Sequence, residues 1–412
     1  MTTESNWAGN HAYAYGRWAA PGSVPELSEL VAASAKVRAL GSRHSFNANA
    51  DCEDLLVDLT GLAEPPMVDA ERQTVRVTPG TRFADVIPVV AAAGFALPNL
   101  GSLPHISVCG ALATGTHGSG TGNQILGAAA SLLEIVDGDG GLRTLRRGEP
   151  DFDGAVVGLG AAGLVVAVEL DLVPTFDVVQ SRELARWSDV VADAADTLTS
   201  AYSVSLFTRW TDDEPTEILR KTRVEPDGGA VTPTAPPSSP SGLLGDGPHL
   251  TVVDQQVAWW MALPHFSIDH EPSFGDEIQS EFFVPSEHTR EALEAVTAHA
   301  AELAPLLHVT EIRAVAADDL WMSPVQGRDS TVLHFTWLNR PDEVAEATRT
   351  VQRALAPYAA RPHWGKVFDA GLVDVAALYP RTDDFVDLIT RLDPRGRFVN
   401  PWLAELLPGL RR

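Results

Sequence analysis

The sequence predicts a mixed α+β protein built from two domains. A chain of 412 residues is too long for one ordinary hydrophobic core, and 45% hydrophobic residues are enough for two packed interiors. Residues 1–175 alternate strand-like and helix-like segments, and the pattern changes from about residue 176. We therefore expect a first domain at 1–175, a second at 176–370, and a turn-rich C-terminal segment at 371–412.

Three segments of the first domain have clear periodicity. Residues 74–78 alternate apolar and polar side chains, and residues 165–172 are alternating and β-branched, so both are predicted strands. Residues 83–93 are apolar at helical spacing and end at Gly94, a residue that commonly stops a helix. Pro88 lies inside this segment and argues against one unbroken helix, because proline lacks the N–H of a helical hydrogen bond.

The second domain shows both a long irregular segment and regular elements. Residues 225–248 are dense in proline, glycine and serine and are predicted to be a long surface loop or a linker. Residues 281–301 indicate the end of a strand and then an amphipathic helix from about Glu287, with Ser286 as its N-cap. Residues 333–338 alternate and are a predicted strand.

The motif G-x-G-x-x-G at residues 158–163 matches the dinucleotide fingerprint. That fingerprint requires a helix after the glycines, so that the pyrophosphate meets a helix N-terminus. Residues 164–170 are strand-like instead, so we interpret the glycines as allowing a close backbone contact. The sequence contains no phosphate-binding G-x-x-x-x-G-K-[ST], no H-E-x-x-H and no G-x-S-x-G, which leaves phosphoryl transfer, zinc hydrolysis and elbow-serine hydrolysis without support.

Charge and cysteine content exclude several classes of partner. The net charge is −25, which argues against nucleic acid and anionic membranes, and no protein partner is indicated. Two cysteines, Cys52 and Cys109, give no disulfide framework and no metal cluster, and such sparse use fits a reducing compartment. The N-terminal residues do not resemble a signal peptide and no apolar run is long enough to span a membrane, so we expect a cytoplasmic protein.

Two short loops carry the strongest functional signal. Residues 41–47, GSRHSFN, follow a strand-like run, and residues 114–120, TGTHGSG, follow the motif at 97–107. Glycine allows a close backbone approach, and successive free N–H groups form an anion-binding nest, so the two loops could hold a pyrophosphate between them. His44, inside the first loop, offers a nucleophilic ring nitrogen that could bond to the cofactor itself.

These loops resemble the FAD-binding half of the vanillyl-alcohol-oxidase type flavoproteins. In that family a histidine of the first loop is often joined covalently to the 8α-methyl group of the flavin. Nearly the whole chain is similar, in the same order, to the bacterial alditol (xylitol) oxidases, through residues 6–10, 97–120, 202–207, 311–313 and 361–368. The resemblance implies a two-domain FAD-binding fold of the vanillyl-alcohol-oxidase/PCMH type, with a separate antiparallel-sheet substrate domain and a C-terminal segment that returns to the FAD domain.

The resemblance also implies which residues bind FAD. His44 is the expected covalent anchor, and His117 is the competing histidine, which we interpret as structural. Arg43 departs from the family, which more often has glycine there. The expected cofactor-binding residues are Gly41, Ser42, Arg43, His44, Ser45, Phe46, Asn47, Gly101, Ser102, Ser107, Gly110, Thr114, Gly115, Thr116, His117, Gly118, Gly163 and Val165.

Glu311, Arg313 and Lys366 are the candidate catalytic residues. Glu311 and Arg313 are two apart on a predicted strand and share a face, so they could bind vicinal hydroxyls or form an ordinary surface ion pair. Lys366 follows Trp364 and could be a buried base with a lowered pKa, a cation beside the reduced flavin, or a lysine whose amine reaches water. In alditol oxidases the matching residues lie at the polyol. Arg313 and Lys366 would stabilise a developing alkoxide, and either Glu311 or Lys366 would take the proton.

Three further residues match positions that contact the substrate in the family. A fourth residue, Gly101, could leave space for oxygen beside the flavin. His334 and Thr336 share a strand face, and Ser102 matches a serine that lies at both flavin and substrate. Gly101 has no side chain, which would leave space for oxygen and favours an oxidase over a dehydrogenase.

The resemblance implies oxidation of a terminal primary alcohol of a polyol, such as xylitol or sorbitol, to the aldehyde. Oxygen would take the electrons and become hydrogen peroxide, so the expected partners are a small polyol and O2. Two alternatives stay open at this point: a sugar-1,4-lactone oxidase or dehydrogenase of the same family, and a flavin-binding protein without turnover.

Overall fold

The computed structural model describes residues 4–226, 243, 249–269 and 276–411. Most of the predicted loop at 225–248 lies outside these residues. The strands of the N-terminal part are β1 (Tyr15–Ala19), β2 (Val37–Leu40), β3 (Cys52–Asp58), β4 (Met67–Asp69), β5 (Thr74–Val77), β6 (Phe95–Ala96), β7 (Ala130–Val136), β8 (Leu142–Arg146), β9 (Leu164–Asp171) and β10 (Val173–Pro174). Its helices are α1 (Val24–Ala33), α2 (Phe83–Ala92), α3 (Val108–Ala113) and α4 (Phe152–Val156).

The remaining elements follow from residue 177. The strands are β11 (Asp177–Ala185), β12 (Ser203–Thr208), β13 (Thr216–Val224), β14 (Gln256–Ala258), β15 (Glu277–Pro285), β16 (Leu307–Val315), β17 (Ser330–Leu338) and β18 (Arg361–Pro362). The helices are α5 (Trp187–Ala192), α6 (Ala194–Leu198), α7 (Thr289–Thr297), α8 (Ala300–Leu303), α9 (Pro341–Leu355), α10 (Val375–Leu378), α11 (Thr382–Leu392) and α12 (Pro401–Leu406). Among the described residues, none of the helices combines the length and apolar character of a membrane span.

The N-terminal part contains a parallel three-stranded sheet, β1-β3-β2, and an antiparallel five-stranded sheet, β4-β5-β9-β7-β8. The strands predicted at 74–78 and 165–172 are confirmed as β5 and β9. Because strand β9, not a helix, follows the glycines at 158–163, the dinucleotide fingerprint is confirmed as a false match.

Helix α2 confirms the helix predicted at 83–93, and Pro88 does not interrupt it. The helix runs unbroken to Ala92, and Gly94 follows with φ of 81°. Pro88 lies on the exposed side of the helix. Because proline has no N–H, the carbonyl four residues before it has no helical donor, and on this side it can bind water instead. The apolar side chains of Phe83, Val86, Ile87 and Val90 face the core.

The C-terminal part is dominated by one antiparallel sheet of eight strands, in the order β14-β11-β13-β12-β16-β17-β15-β18. Side chains alternate between its two faces, as the pleat requires. On β16, β17 and β15, residues such as Ile312, Leu333 and Phe282 pack with apolar side chains of α7 and α9 in one core. The opposite face of the same three strands carries polar side chains, and this face forms one wall of the site described below.

Two elements of this part differ from the prediction. Residues Ser286–His288 form a 3-10 turn after β15, so the helix begins at Thr289, and Ser286 makes no side-chain cap. Instead, the Thr289 hydroxyl donates to the Ser286 carbonyl at 2.6 Å. The strand predicted at 333–338 is confirmed, but β17 begins at Ser330 and most of its side chains are buried on both faces.

The segment after residue 392 packs against residues 36–51 of the N-terminal part. The Lys36 ammonium donates to the carbonyls of Gly396 and Val399 at 2.7 and 2.9 Å. The Asn400 amide donates to three carbonyls of residues 48–51. The C-terminal segment thus supports the strand and turn on either side of the first loop. The domain boundaries at residues 175 and 370 stay predictions.

Candidate active site

A cavity of about 400 Å³ lies between the two glycine-containing loops and the polar face of the large sheet. Every site residue predicted from the sequence lines this cavity, except Phe46, Asn47, Gly115 and Gly118. The structure therefore brings together residues that are as far apart in sequence as Gly41 and Lys366.

Phe46 and Asn47 do not line the cavity but contact Lys366 and the segment that carries it. The Lys366 Nζ is 4.9 Å from the centre of the Phe46 ring. The Asn47 amide donates to the carbonyls of Trp364 and Lys366 at 2.9 and 2.8 Å. These contacts join the first loop to the segment that carries Lys366.

Gly115 and Gly118 allow the second loop to pack closely against neighbouring residues. Gly115 has φ of +76°, and a Cβ there would lie 2.8 Å from Pro324. A Cβ on Gly118 would clash with the Leu100 carbonyl oxygen. Only glycine allows the loop to pass this close to its neighbours.

Ser42 and Ser107 tie the two halves of the loop region together. The Ser107 N–H donates to Ser42 Oγ at 3.0 Å, and the Ser42 N–H donates to Ser107 Oγ at 3.2 Å. A Cβ on Gly41 would lie 2.5 Å from Ser107 Oγ, and one on Gly110 would lie 2.8 Å from the same atom. Both positions therefore need glycine for this close approach.

Arg43 adopts the left-handed conformation, with φ of 62°. Glycine adopts this conformation most readily, which gives a physical reason for the glycine that the wider family more often has here. The Arg43 guanidinium forms an ion pair with Glu4 and lies 5.6 Å from the centre of the Trp18 ring. These contacts offset part of the backbone strain.

The two loop histidines have different surroundings. His44 Nδ1 is 3.0 Å from the Ser42 carbonyl, and its ring stacks on Trp7 at 5.0 Å. Burial lowers the pKa of His44 to about 4, so the imidazole is neutral at neutral pH. His117 has the Gly118 carbonyl 2.7 Å from Nδ1 and a Glu281 carboxylate oxygen 3.0 Å from Nε2. Both nitrogens of His117 are thus occupied by protein groups.

Strand register builds the polar wall. Glu311 on β16 lies opposite His334 on β17, and His334 lies opposite Glu281 on β15. Thr336 and Gln279 form a second pair two residues along, on the same face. Three neighbouring strands thus present a row of hydrogen-bonding groups to the cavity.

Arg313 has a different main partner from the one predicted. Its Nη2 donates to Glu281 Oε1 at 2.6 Å, whereas its Nε is 3.6 Å from Glu311 Oε1. Its Nη1 donates to Ser102 Oγ at 3.3 Å. Sequence reasoning missed Glu281, although Glu277, Gln279 and Glu281 recur at every second position of a strand, and this pattern of one polar face could have indicated it.

Both carboxylates of the site are held in their ionised form. Burial alone would raise the pKa of Glu311, but the charge of Arg313 and the hydrogen bond with His265 outweigh it and lower that pKa below its ordinary value. The pKa of Glu281 is lowered in the same way, because His334 and Arg313 outweigh its burial. The wall therefore presents negative charge around one guanidinium.

Lys366 faces this wall from the other side. Its ammonium donates to the Gln279 side-chain carbonyl, a partner that sequence reasoning did not find. Burial lowers the pKa of Lys366 to about 8, against the opposing effect of Glu281 and Glu277. Lys366 therefore titrates much closer to neutral pH than an ordinary lysine.

Two further residues complete the lining. His265 was not predicted, and its Nε2 lies 2.7 Å from Glu311 Oε1. The residues next to His265 in the sequence do not indicate a functional site, because its partner Glu311 lies 46 residues away. Cys109 lines the cavity, and burial raises the pKa of its thiol to about 12, so it is a neutral packed thiol at neutral pH.

The residues present fit FAD. Among the described residues, no acceptor is found for the backbone N–H groups of Arg43, His44 and Ser45, which are available to an anion such as a pyrophosphate. Gly41 and Gly110 also line the cavity, and their lack of a side chain lets Ser107 pack against the first loop. The polar wall then lies beyond the loops, where a substrate would meet the cofactor.

Comparisons with known proteins agree with this geometry. Residues 17–146 match the FAD binding domain family, and residues 273–406 match the D-arabinono-1,4-lactone oxidase family. An alditol oxidase of Streptomyces sp. is 41% identical over 421 residues, covering 99% of this chain and 100% of the relative. An L-gulono-1,4-lactone dehydrogenase of Mycobacterium tuberculosis is 29% identical, covering 98% of each chain.

Solved structures show the same fold. A solvent-stable cholesterol oxidase aligns with a TM-score of 0.77 at 17% identity, over 98% of this chain and 97% of that chain. A cholesterol oxidase from B. sterolicum aligns with a TM-score of 0.78 at 15% identity, over 98% and 96%. The fold is thus the two-domain FAD-binding fold of the vanillyl-alcohol-oxidase type, with its large antiparallel sheet. With its full-length similarity to the Streptomyces enzyme, the chain belongs to the alditol oxidase family of FAD-dependent oxidoreductases.

Proposed function

We propose that this protein oxidises the terminal primary alcohol of open-chain alditols, such as xylitol and sorbitol, to the aldose, and that O2 is reduced to H2O2. The observation that supports the proposal is the polar wall of β15, β16 and β17, which lines the same cavity as the FAD loops. When bound, FAD supplies the acceptor for the hydride of the carbinol carbon and passes the electrons to oxygen.

Glu311, Arg313 and Ser102 are proposed to bind the hydroxyls of the substrate. Glu311 Oε1 is engaged by His265, and no described residue hydrogen-bonds to Oε2, which is left to accept from a hydroxyl. Arg313 and Ser102, joined at 3.3 Å, offer donors beside it. An alditol presents neighbouring hydroxyls that each donate and accept, so a carboxylate and a guanidinium together suit such a pair. His334 and Thr336 would extend the contact along the row.

Lys366 is proposed to take the hydroxyl proton. Because its pKa is lowered to about 8, a useful fraction is neutral near pH 7–8. Glu311 is the weaker candidate, since Arg313 and His265 hold its pKa low against the effect of burial. Arg313 keeps its proton and would stabilise the developing alkoxide.

His44 is proposed to hold FAD covalently. One of its ring nitrogens contacts the Ser42 carbonyl, its ring is neutral, and it lines the cavity. We expect the yellow chromophore to stay with the polypeptide after acid precipitation, and His44→Ala to release it into the supernatant. His117→Asn is the matched control, and release of flavin from that variant but not from His44→Ala would contradict the assignment.

We also propose a cytoplasmic location. Both cysteines are free, Cys52 buried and Cys109 partly buried, as expected in a reducing compartment.

The catalytic proposal is tested by anaerobic mixing. Purified protein is mixed with xylitol without oxygen, the visible flavin absorbance is followed, and air is then admitted. Rapid bleaching and rapid recovery with formation of peroxide support a polyol oxidase. Bleaching with slow recovery supports a dehydrogenase that uses another acceptor, and no bleaching with any alditol contradicts the proposal.

A second candidate is oxidation of a sugar-1,4-lactone. It is favoured by the match of residues 273–406 to the D-arabinono-1,4-lactone oxidase family and by relatives such as the L-gulonolactone oxidase of Mus musculus, 25% identical over 97% of each chain. A panel that compares kcat/KM for alditols with that for aldonolactones separates the two. A preference for lactones would replace the first proposal by the second.

A further inference from the structure

Lys221 is a fully buried lysine whose three nearest acceptors lie on one short segment. It lies on β13 and is 1% exposed. Its Nζ donates to the carbonyl of Leu263, lies 3.3 Å from the carbonyl of Pro264, and is 3.4 Å from His265 Nδ1. An ammonium group has three hydrogens, so these three acceptors account for all of them.

This contact determines how the His265 ring is protonated. If the Lys221 ammonium donates to Nδ1, that nitrogen must carry a lone pair, and the hydrogen of the neutral ring must be on Nε2. His265 Nε2 lies 2.7 Å from Glu311 Oε1 and 3.3 Å from Ser205 Oγ. The Nε2–H therefore donates to the carboxylate that faces the cavity.

A histidine beside an ionised carboxylate ordinarily gains a second proton. Burial lowers the pKa of Lys221 to about 7, so below that pH Lys221 is a cation and occupies the place of that proton. Burial, followed by the charge of Lys221, lowers the pKa of His265 to about 4, although Glu311 opposes both. The charged groups that face His265 among the described residues are Lys221 on β13 and Glu311 and Arg313 on β16.

We propose that Lys221 and His265 are positioning residues for the reaction, and that the Lys221 ammonium keeps His265 as the neutral Nε2–H tautomer. The inference rests on the proposed role of Glu311 in binding a substrate hydroxyl. A neutral donor on Oε1 fixes the rotation of the carboxylate and leaves the negative charge available at Oε2. An imidazolium in the same place would form an ion pair with Glu311 and withdraw that charge from the substrate.

The direct test is the protonation state of His265 in the FAD-loaded protein. Long-range proton–nitrogen spectra of protein labelled with 15N-histidine distinguish the two neutral tautomers from the imidazolium, and His265→Gln identifies the signal. We expect the neutral Nε2–H form from pH 5 to pH 8. In Lys221→Met, loss of the cation raises the pKa of His265 by about 1–3 pH units. An imidazolium at pH 6 in the wild type, or an unchanged titration in Lys221→Met, overturns the proposal.

The kinetic test measures, as a function of pH, the kcat/KM of Lys221→Met divided by the kcat/KM of the wild type. We expect kcat/KM of Lys221→Met for xylitol to be about tenfold below the wild type at pH 6, which corresponds to roughly 1.4 kcal/mol of lost transition-state stabilisation. The ratio should recover towards pH 8, where His265 loses its extra proton. A lysine that only holds the backbone at residues 263–264 would lower the ratio equally at every pH, and that result overturns the inference.

Lys221→Gln is a second variant that keeps the proposal testable if Lys221→Met does not fold. Lys221→Gln removes the charge but keeps hydrogen-bond donors for the carbonyls of Leu263 and Pro264, and it should show the same change in the His265 titration. The spectra need no turnover. If no alditol is oxidised, the proposed function fails, whereas the protonation state of His265 still decides the inference about Lys221.

Discussion

Glu281→Gln tests whether the buried carboxylate organises the polar wall. Its side chain is 2% exposed and contacts Arg313 at 2.6 Å, His117 at 3.0 Å and His334 at 3.3 Å. Glutamine has nearly the same shape but no charge, so the substitution leaves the Arg313 guanidinium without its close anion. We expect Arg313 to move towards Glu311, now 3.6 Å away, and to misplace both groups for the substrate.

The size of the effect follows from burial. Removing one partner of a buried ion pair costs about 3–5 kcal/mol, and the glutamine oxygen can still accept one neutral hydrogen bond, so we expect a net loss of about 2–3 kcal/mol. At about 2.1 cal/mol/K per residue, the unfolding entropy of 412 residues is about 0.9 kcal/mol/K. The Tm should therefore fall by about 2–4 °C.

The structure also predicts how the stability difference between wild type and Glu281→Gln changes with pH. The pKa of Glu281 is lowered in the folded protein, because His334 and Arg313 outweigh its burial. Its ionisation therefore stabilises the fold above the ordinary carboxylate pKa, and this stabilisation is lost as pH falls through the acid range. The difference in Tm between wild type and Glu281→Gln should shrink below about pH 5.

The assay is thermal unfolding at pH 7 and pH 4, together with kcat/KM for xylitol. We expect kcat/KM at pH 7 to fall about tenfold or more, because a misplaced Arg313 weakens binding of the transition state. Glu287→Gln is the matched control, because Glu287 follows the same strand but its side chain is 79% exposed. Equal Tm and kcat/KM in wild type and Glu281→Gln would refute the reasoning that this carboxylate positions Arg313.

Three other substitutions test separate parts of the site. In Gly101→Val, a Cβ fits 3.5 Å from the His117 carbonyl, but the added methyls would fill the cavity side; we expect slower reoxidation by O2 in stopped-flow with flavin reduction largely unchanged, and equal reoxidation would remove Gly101 from the oxygen path. Arg43→Gly relieves about 1–2 kcal/mol of left-handed strain. It also removes the partly exposed ion pair with Glu4 and raises the conformational entropy of the unfolded chain, so the Tm should change little. A fall in Tm equivalent to more than about 2 kcal/mol would mean that the ion pair dominates. Lys366→Met should abolish the rise of kcat/KM towards pH 8 that the wild type shows as Lys366, with a pKa of about 8, loses its proton; a variant that keeps this rise would exclude Lys366 as the base.

The sequence indicated those parts of the site that depend on local pattern. Residues 41–45 of the first loop and Thr114, Thr116 and His117 of the second loop line the cavity, together with Glu311 and Arg313. Each can be found because glycine and hydroxyl residues cluster in a loop, or because alternate residues of a strand share a face.

The partners of these residues could not be predicted, because register and not sequence spacing determines them. Glu281 reaches Arg313 only because β17 lies between β15 and β16 with one particular alignment of the strands. His265 reaches Glu311 from outside the three strands altogether. The helix predicted from about Glu287 begins at Thr289 because a 3-10 turn precedes it. Helix α2 continues through Pro88 because that proline lies on its exposed side.

The second loop links the side of the cavity that we propose binds FAD to the side that we propose binds the substrate. His117 in that loop contacts Glu281, Glu281 pairs with Arg313, and Arg313 donates to Ser102, which precedes the same loop in the chain. These contacts close a ring between the loop and the sheet, with every side chain in it buried or partly buried. A displacement of the loop must therefore move Arg313, and a substitution in the ring should alter substrate binding and the flavin environment together. For this reason, the flavin absorbance spectrum of Glu281→Gln should shift along with its kcat/KM, and an unchanged spectrum would show that the two sides are independent.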